Sequence, residues 1–320
     1  MTTAGTASVA RPGFAPLVQG GAAFGGLYAP VDADTVRLAL EEAWTAGLRA
    51  FDTAPHYGVG LAEERLGAFL ADRPRDEFVV STKVGRLLVE DEDAPTEADG
   101  FVDTPRRRRV RDYSADGVRR SLEESLQRLG LDRVDLVLIH DPEDYLDAAV
   151  SEAAPALSAL RDEGVIGGYG VGTNFEDVAL RLVQETDLDT VLIAGRYSLL
   201  DRSAAPALLP ACADRGVAVL AAGVLNSGLL ADPAAADAHY DYELAPADVV
   251  ARARRLQDAC ARYDLELRAA ALQFPFRNPA VAAVVLGAGT AAAVRDSMAQ
   301  LAAAVPDALW DELESIVAAG

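Results

Sequence analysis

Short apolar runs alternate with longer amphipathic segments from one end of this 320-residue chain to the other. Each short run is continuously apolar instead of alternating with polar residues, which is typical of parallel strands covered on both faces. The longer segments, such as "DTVRLALEEAWTAG" and "SADGVRRSLEESLQRLG", carry apolar residues at helical spacing. Eight strands are predicted, at residues 15–21, 47–53, 77–84, 133–141, 165–173, 189–195, 216–223 and 280–289.

Eight strands joined by helical crossovers, with no break in composition, predict a single α/β domain, a (β/α)8 barrel over residues 1–320. The alternative is a doubly wound sheet with an appended domain, which needs a G-x-G-x-x-G turn that opens the first helix. The "GGAAFGG" of residues 20–26 leads to Pro30 instead, so we interpret its glycines as turn residues. Helix ends are predicted at capping residues, with N-caps at Asp34 and Ser114 and stops at Gly47 and Gly130.

Two long segments interrupt the alternation, at about residues 85–112 and 223–248. Both follow the C-terminal ends of predicted strands, the face on which (β/α)8 barrels carry their chemistry. Loops of this length in a compact domain are usually functional or mobile. The first contains the basic run Arg106–Arg109 beside Asp and Glu residues. We interpret this run as self-paired in solvent, with a lid over the substrate as the functional alternative.

The charge and cysteine content exclude several classes of function. A formal net charge of −21 repels polyphosphate backbones and anionic membranes, so we expect a small-molecule substrate and neither nucleic-acid nor membrane partners. Two distant cysteines without a CxxC pattern predict no disulfide and no metal site. The N-terminal "MTTAGTASVARPG" lacks the apolar run of a secretory signal. We therefore expect a cytoplasmic protein, and no heptad pattern indicates an oligomeric state.

Lys83 is the only lysine among 29 basic residues. A genomic bias toward arginine explains a leftover lysine without any function. However, Asp52, Lys83 and His140 each end an apolar run, and the ends of consecutive strands in a parallel barrel lie on one rim. Tyr57 follows Asp52 in the loop after the same strand. This joint placement favours a functional group of four side chains over coincidence.

Such a group supports proton transfer at a carbonyl or an alcohol. A phenol with a pKa of about 10 is a poor acid–base catalyst at neutral pH. An ammonium about 4 Å away favours the phenolate by roughly 4 kcal/mol before desolvation, so we expect Lys83 to lower the Tyr57 pKa by about one to three units. Asp52 would hold Lys83, and His140 would donate to the reacting oxygen. The alternatives are a turn aspartate, a strand-end histidine and a surface tyrosine.

The motifs around these residues resemble the aldo-keto reductase superfamily across essentially the whole chain. The stretch "GLRAFDTAPHYGVGLAEERLG" is similar to the first signature of that family, and "STKVG" and "LVLIHDPE" are similar to its lysine and histidine segments. "KVGRLL", "AGRYSLLD" and "GVLNSGLLA" resemble the aldose dehydrogenase branch, which includes sugar and pyridoxal dehydrogenases. The resemblance implies a (β/α)8 barrel, a nicotinamide dinucleotide across its mouth, and a catalytic tetrad of Asp52, Tyr57, Lys83 and His140.

The resemblance also implies which segments hold the cofactor. Thr173 and Asn174 would hold the carboxamide, residues 224–230 would wrap the pyrophosphate, and residues 286–299 would bind the adenosine end. Two positions depart from the family, because Ala194 stands where a glutamine is frequent and Ala222 where an aromatic often stacks on the nicotinamide. The predicted cofactor-binding residues are Gly21, Asp52, Thr173, Asn174, Val224, Leu225, Asn226, Ser227, Gly228, Leu230, Gly287, Ala288, Gly289, Thr290 and Ser297. The predicted substrate-binding residues are Tyr28, His56 and His140.

The adenosine segment bears on the choice between NAD and NADP. Relatives that prefer NADPH usually supply Lys and Arg here, whereas this chain has Gly287 and Ala293, with Arg295 as the only nearby cation. A 2′-phosphate would be poorly compensated in so acidic a protein, so NAD is favoured over NADP. We expect an NAD(P)-dependent oxidoreductase that transfers a hydride between nicotinamide and an aldose C1 or a similar small alcohol or aldehyde, with Tyr57 as general acid/base. The alternatives are an NADPH-dependent aldehyde or ketone reductase and a non-catalytic cofactor-binding regulatory subunit.

Overall fold

The structure, a computed structural model, describes residues 16–318; the N-terminal segment interpreted above lies outside them. Eight parallel strands form a closed barrel in which each strand pairs with its neighbours in chain order. The predicted fold class is therefore confirmed, and all eight predicted segments contain a barrel strand. The strands are β1 (Leu17–Gly20), β2 (Ala50–Asp52), β3 (Val79–Val84), β4 (Leu136–His140), β5 (Tyr169–Thr173), β6 (Thr190–Ala194), β7 (Ala218–Ala222) and β8 (Val281–Leu286).

Helices cover the outside of the barrel and return the chain to the start of the next strand. One of them is irregular at its start, where a helical turn at Leu146–Ala148 and a π-helical stretch at Ala149–Ala153 lead into α4. The helices are α1 (Ala33–Thr45), α2 (Leu61–Leu70), α3 (Ala115–Leu129), α4 (Ala154–Asp162), α5 (Glu176–Glu185), α6 (Leu208–Arg215), α7 (Ala247–Ala261), α8 (Leu267–Gln273), α9 (Ala291–Ala302) and α10 (Asp307–Ala318). Across this part of the chain, every helix is too short or too polar to cross a membrane.

Three of the four predicted helix ends are confirmed. The Ser114 side chain accepts a hydrogen bond from the Gly117 N–H at the start of α3, and Gly130 ends that helix in the left-handed region. Gly47 follows α1 with a φ of 90°. The N-cap predicted at Asp34 is wrong, because Asp32 has the extended backbone of a cap and its carboxylate accepts from the Thr35 N–H.

Two apolar layers hold the barrel together. The interior is filled by small and branched side chains, including Val18, Leu138 and Leu220. A larger layer lies between the strands and the helices. Because both faces of every strand are covered, the strands are apolar runs without alternation, which is the pattern that predicted them. The C-terminal ends of the strands and the loops that follow them form the open end of the barrel.

Both long segments contain short antiparallel pairs. In the first, Arg86–Glu90 pairs with Arg107–Arg111, and a second pair lies between Glu97–Ala98 and Phe101–Val102. The second segment contains a pair between His239–Tyr240 and Glu243–Leu244. The first segment is thus a hairpin with two successive antiparallel pairs. Its strands were not predicted, because charged residues obscure their two-residue hydrophobic period. We call residues 86–111 the hairpin.

Candidate active site

The ends of three neighbouring strands bring Asp52, Lys83 and His140 to the same rim of the barrel. Asp52 ends β2, Lys83 is the penultimate residue of β3, and His140 ends β4. β2 pairs with β3 and β3 pairs with β4, so the three side chains are neighbours across the sheet. All three are buried, with 2%, 1% and 6% of their surface exposed. The sequence prediction of one shared rim is confirmed for these positions.

Lys83 is held on two sides. Its Nζ donates to Asp52 Oδ2 at 2.6 Å and to the Thr53 carbonyl oxygen at 2.9 Å. The other carboxylate oxygen, Asp52 Oδ1, accepts from Ser81 Oγ at 2.7 Å. Burial lowers the pKa of Lys83, but the Asp52 carboxylate and the Tyr57 hydroxyl outweigh it and raise the pKa to about 12. The lone lysine is therefore a fixed, charged ammonium at neutral pH.

Tyr57 lies against this ammonium. The Lys83 Nζ is 4.6 Å from the centroid of the Tyr57 ring, and the ring is perpendicular to the His140 imidazole at 5.9 Å. Burial raises the pKa of Tyr57 to about 12, although the charge of Lys83 lowers it. The expected decrease of one to three units is therefore wrong for this site. The prediction had the sign of the Lys83 effect right but underestimated the desolvation of Tyr57, which is the larger effect.

Two distant segments hold the Tyr57 loop in place. A Cβ on Gly25 would lie 2.6 Å from the Gly58 N, so the first loop and the Tyr57 loop touch through their backbones. From the hairpin, Arg109 Nη2 donates to the His56 carbonyl oxygen at 3.0 Å, and Arg107 Nη1 donates to the Val59 carbonyl oxygen at 3.2 Å. The glycines interpreted as turn residues thus also allow a close backbone approach.

The basic run divides between two faces of its strand. Arg106 and Arg108 are exposed, and they contact the acidic arm of the same hairpin, as predicted. Arg107 and Arg109 are half-buried and reach the Tyr57 loop. Both also pair with carboxylates of the hairpin, Arg107 with Glu90 and Arg109 with Asp99, so the predicted self-pairing is confirmed. They are less solvated than expected, because a period of two places alternate arginines on the inward face.

His140 is surrounded by residues that sequence reasoning missed. The Arg86 Nη1 lies 3.2 Å from His140 Nδ1, and the Arg86 Nη2 donates to Asp141 Oδ2 at 2.7 Å. Burial, followed by the charges of Arg86 and Lys83, keeps the pKa of His140 well below its usual value. The imidazole is therefore neutral. The available signal was adjacency, since Asp141 follows His140 and Arg86 lies just beyond Lys83.

The predicted substrate residues form one wall with Phe101, which sequence reasoning also missed. His56 lies between Phe101 and His140, with ring centroids 5.2 Å and 5.6 Å away. Burial lowers the pKa of His56 to about 2, with a further contribution from Arg86. Phe101, in the second antiparallel pair of the hairpin, stacks on Tyr57 with ring centroids 6.0 Å apart. Tyr28 lines the mouth of the cavity with 59% of its surface exposed.

A cavity of about 730 Å³ runs from this wall across the open end of the barrel. Asn226, Ser227 and Gly228 line it with successive positive φ values of 47°, 56° and 94°, and the N–H groups of Asn226 and Gly228 donate within this turn. The cavity extends from Lys83 to Ser297 of α9, and this extended shape fits a dinucleotide. The predicted cofactor residues that line it are Gly21, Asp52, Thr173, Asn174, Val224, Leu225, Asn226, Ser227, Gly228, Gly287, Ala288 and Ser297.

Three predicted cofactor residues do not line the cavity. Leu230 is fully buried in the core. A Cβ on Gly289 would lie 2.9 Å from the Ala23 Cβ, so this glycine is packed against the first loop. Thr290 is exposed, and its side chain accepts from the Ala293 N–H and caps α9. Leu230 is therefore corrected to a core residue, whereas the cofactor roles of Gly289 and Thr290 stay predictions.

The structure adds further residues to the cofactor end. Tyr242 is exposed at the cavity mouth; its N–H donates to Ser227 Oγ at 3.1 Å and its hydroxyl accepts from Asn174 Nδ2 at 3.3 Å. Arg268 of α8 also lines the cavity. Arg295 is therefore not the only cation near the adenosine end, contrary to the sequence interpretation.

Comparison with known proteins agrees with this geometry. The model of the aldo/keto reductase family matches residues 16–318. The chain belongs to the aldo/keto reductase family. It is 44% identical over 300 residues to D-threo-aldose 1-dehydrogenase of Pseudomonas sp., covering 92% of this chain and 91% of that protein. It is 39% identical over 315 residues to pyridoxal 4-dehydrogenase of Microbacterium luteolum, covering 92% of each.

The barrel also superimposes on solved structures. Glycerol dehydrogenase of Gluconobacter oxydans matches with a TM-score of 0.75 at 23% identity, over 96% of this chain and 92% of that chain, which supports the fold alone. From the family and the two relatives, the chain is an NAD(P)-dependent oxidoreductase of the aldose dehydrogenase branch that acts on a small molecule. The resemblance to the aldose dehydrogenase branch and the expected NAD(P)-dependent oxidoreductase activity are thus confirmed.

Proposed function

We propose that the protein oxidises the C1 hydroxyl of an aldose with NAD, and that Tyr57 accepts the hydroxyl proton. The observation that carries this proposal is the contact of one buried ammonium, Lys83, with the phenol ring at 4.6 Å beside a neutral His140. When bound, the nicotinamide ring accepts the hydride that leaves the alcohol carbon. The remaining tasks fall to side chains of this chain.

Tyr57 is the group suited to move the proton. The Lys83 ammonium favours its ionised form, while burial favours the neutral form and raises the pKa to about 12. In the oxidation direction the ionised phenol accepts the hydroxyl proton, and in the reverse direction the neutral phenol donates it to the carbonyl oxygen. Asp52 keeps Lys83 charged and oriented through the contact of 2.6 Å. His140, being neutral, can donate a hydrogen bond to the reacting oxygen.

The wall beside Tyr57 supports a polyhydroxy substrate. His56, Asp99 and Asp141 line it with hydrogen-bonding groups, while Tyr28 and Phe101 present aromatic rings. Carboxylates and imidazoles bind hydroxyl groups, and aromatic faces pack on the apolar C–H faces of a sugar ring. The relative named D-threo-aldose 1-dehydrogenase supports the same substrate class. Pyridoxal is a second candidate substrate, because the same rings can stack on a pyridine and a relative is named for that substrate.

NAD is favoured because both cations near the adenosine end already have acidic partners. Arg295 Nη1 lies 2.5 Å from Glu42 Oε2, and Arg268 Nη1 lies 2.5 Å from Asp296 Oδ2. A 2′-phosphate would compete with these carboxylates for either guanidinium and would face their charge. The ribose hydroxyl of NAD carries no such penalty.

A screen of aldoses and pyridoxal with NAD and with NADP, followed by the absorbance of the reduced nicotinamide, tests the proposal. We expect turnover of an aldose with NAD, and a loss of about a hundredfold or more in kcat for Tyr57→Phe. A clear preference for NADPH and an aldehyde would support the alternative reductase. Unchanged turnover in Tyr57→Phe would exclude the acid–base role, and inactivity with every pair despite cofactor binding would support a non-catalytic subunit.

A further inference from the structure

We propose that Arg86, together with Asp141, is a positioning residue that fixes the ring proton of His140 on Nε2 and so reserves proton transfer for Tyr57. The role of His140 toward substrate rests on the proposed function, whereas the position of its proton does not. Three side chains at the rim, Arg86, His140 and Asp141, decide which nitrogen of the neutral imidazole is the donor.

The hydrogen-bond chemistry of arginine decides the tautomer. A guanidinium has only N–H donors and no acceptor. The Arg86 Nη1 lies 3.2 Å from His140 Nδ1, so Nδ1 must supply a lone pair at this contact. In a neutral imidazole the proton then resides on the other nitrogen, because the partner of one nitrogen sets the state of the other. His140 Nε2 is therefore the donor.

Asp141 favours the same tautomer from the other side of the ring. Its Oδ2 lies 3.4 Å from His140 Nε2, so its negative charge is close to the nitrogen that carries the proton. The same oxygen accepts from Arg86 Nη2 at 2.7 Å. The guanidinium and the carboxylate thus form a pair that spans the edge of the imidazole. Reversal of the tautomer would set an N–H against a guanidinium and a lone pair beside a carboxylate.

The parts of this arrangement are fixed by buried contacts. Arg86 has 7% of its surface exposed, and its carbonyl oxygen accepts from Ser121 Oγ of α3. The Tyr113 hydroxyl contacts the carbonyl oxygens of His140 and Asp141 at 2.6 Å and 2.8 Å. A Cβ on Gly85 would lie 2.3 Å from the Tyr113 ring, so the turn that delivers Arg86 requires glycine. The tautomer therefore depends on several segments that pack together and not on a mobile surface side chain.

The charges around the ring oppose a second proton. A proton added at Nδ1 would meet the Arg86 guanidinium directly, and Asp141 is the only carboxylate among the residues named here that offsets it. His140 therefore stays neutral and keeps one proton, directed away from Arg86. Arg86, Lys83, His56 and Arg111 lower the pKa of the ring, Asp141 Oδ2 lies 3.4 Å from its Nε2, and the Tyr57 ring is perpendicular to it. Because His140 neither gains nor loses a proton, Tyr57 is the one group of this pair that can exchange one with the substrate.

Nitrogen NMR of the full-length protein with isotope-labelled histidine tests the inference directly. The chain has only three histidines, and a His140→Gln variant identifies the His140 signals. We expect the wild-type signals to show a protonated Nε2 and an unprotonated Nδ1 throughout the neutral range. A protonated Nδ1, or a charged ring at neutral pH, would overturn the proposal without reference to any substrate.

Two variants separate positioning from folding. In Arg86→Met we expect the pKa of His140 to rise from its lowered value toward the ordinary one without reaching it, because burial and Lys83 still lower it. We also expect kcat to fall about tenfold to a hundredfold with a new loss of rate on the acid side, and KM to change less. Arg86→Lys keeps a charged donor and should retain more of the wild-type tautomer and kcat. Thermal unfolding of both variants gives the folding control.

An unchanged His140 spectrum in a folded Arg86→Met protein would overturn the proposal. So would a changed tautomer with unchanged kcat and pH profile on an active substrate. If no substrate is turned over, the proposed function fails, while the NMR signals still decide the tautomer. If Arg86→Met does not fold, the NMR spectrum of the wild type and the kcat and spectrum of Arg86→Lys test the proposal instead.

Discussion

The catalytic rim and the cofactor end of the cavity are built in different ways. At the rim, Asp52, Lys83 and His140 are buried at the ends of adjacent strands. Lys83 donates to Asp52, Ser81 donates to Asp52, and Arg86 lies within hydrogen-bond distance of His140. At the cofactor end, residues 223–228 belong to a loop with left-handed backbone, and Tyr242 is 57% exposed. Strands therefore preorganise the chemistry, whereas loops supply backbone groups and small side chains for binding. Changes at the rim should lower kcat, and changes at the loops should alter affinity.

The largest effect should come from Lys83. We expect Lys83→Met to lower kcat/KM by about a thousandfold, because the ammonium that stabilises the Tyr57 phenolate is lost. The free energy of unfolding should fall by about 3–5 kcal/mol, since Asp52 becomes a buried charge without its partner. Steady-state rates and urea denaturation measure the two effects.

A double variant separates the loss of activity from the loss of stability. Asp52→Asn in the Lys83→Met background removes the stranded charge, so stability should recover while activity does not. Lys83→Arg retains the charge but spreads it over a planar group, and should also stay inactive. Substantial activity in Lys83→Arg would contradict the need for a compact ammonium.

The next effect is the pH dependence of oxidation. Because Tyr57 must be ionised to accept the proton and its pKa is raised to about 12, the phenolate is scarce at neutral pH. We expect kcat/KM for oxidation to rise with pH by up to about tenfold per unit below that pKa. The reverse reaction uses the neutral phenol and should not rise. A pH profile of Tyr57→Phe should lack the increase, and a wild-type plateau near neutral pH would contradict the assignment.

The hairpin extends the rim into a region that the strands do not reach. We expect Arg109→Met to lower kcat about tenfold or more, since it removes a charged hydrogen bond to the His56 carbonyl oxygen beside Tyr57. Arg108→Met is the matched control, because this neighbour is 58% exposed and faces away from the Tyr57 loop. Equal rates in the two variants would show that the hairpin does not position the loop.

At the cofactor end, Tyr242→Phe should weaken NAD binding by about fivefold and leave kcat nearly unchanged. The hydroxyl lost contacts Asn174, and one such hydrogen bond contributes about 1 kcal/mol. Fluorescence titration with NAD measures the dissociation constant. A fall in kcat without a change in affinity would place Tyr242 with the rim and remove the contrast between the two regions.

The smallest effect should come from Glu42. Glu42→Gln frees Arg295 from an ion pair and should improve NADP binding relative to NAD by a few-fold, a small effect because the Arg295 side chain is 59% exposed. Glu41→Gln is the control on the same helix, because Glu41 pairs with Arg73 instead. The ratio of the two dissociation constants is the measurement, and equal ratios in both variants would remove Arg295 from the account of cofactor choice.

The positions of the rim residues could be predicted because they depend on short-range pattern. Asp52, Lys83 and His140 end apolar runs, and parallel pairing alone brings such ends together. The capping of α3 by Ser114 was predicted for the same reason, since a cap contacts its own first turn. The error of two residues at the start of α1 reflects two aspartates of similar capping propensity, between which only the backbone conformation decides.

The residues that were missed depend on contacts between distant segments. Arg268 and Tyr242 lie outside the motifs, and Arg86 lies in "KVGRLL" without a role that the motif reveals. Each acquires its place from a partner elsewhere in the sequence, Asp296, Asn174 and Asp141 respectively. The inward face of the basic run was also missed, since it required knowledge that the strand packs on the Tyr57 loop. Leu230 was assigned to the cofactor from its place in a motif, whereas burial in the core decided its role.

By itself, the sequence determined the barrel, the order of its strands and the side chains on its rim, because hydrophobic periodicity and strand ends are local properties of a chain. The tertiary structure decided the protonation behaviour of those side chains. The pKa of Tyr57 follows from desolvation and from the charge of Lys83, and the tautomer that we infer for His140 follows from Arg86 of the hairpin. Electrostatic energies depend on distance and burial in three dimensions, and neither quantity is contained in the spacing of residues along the chain.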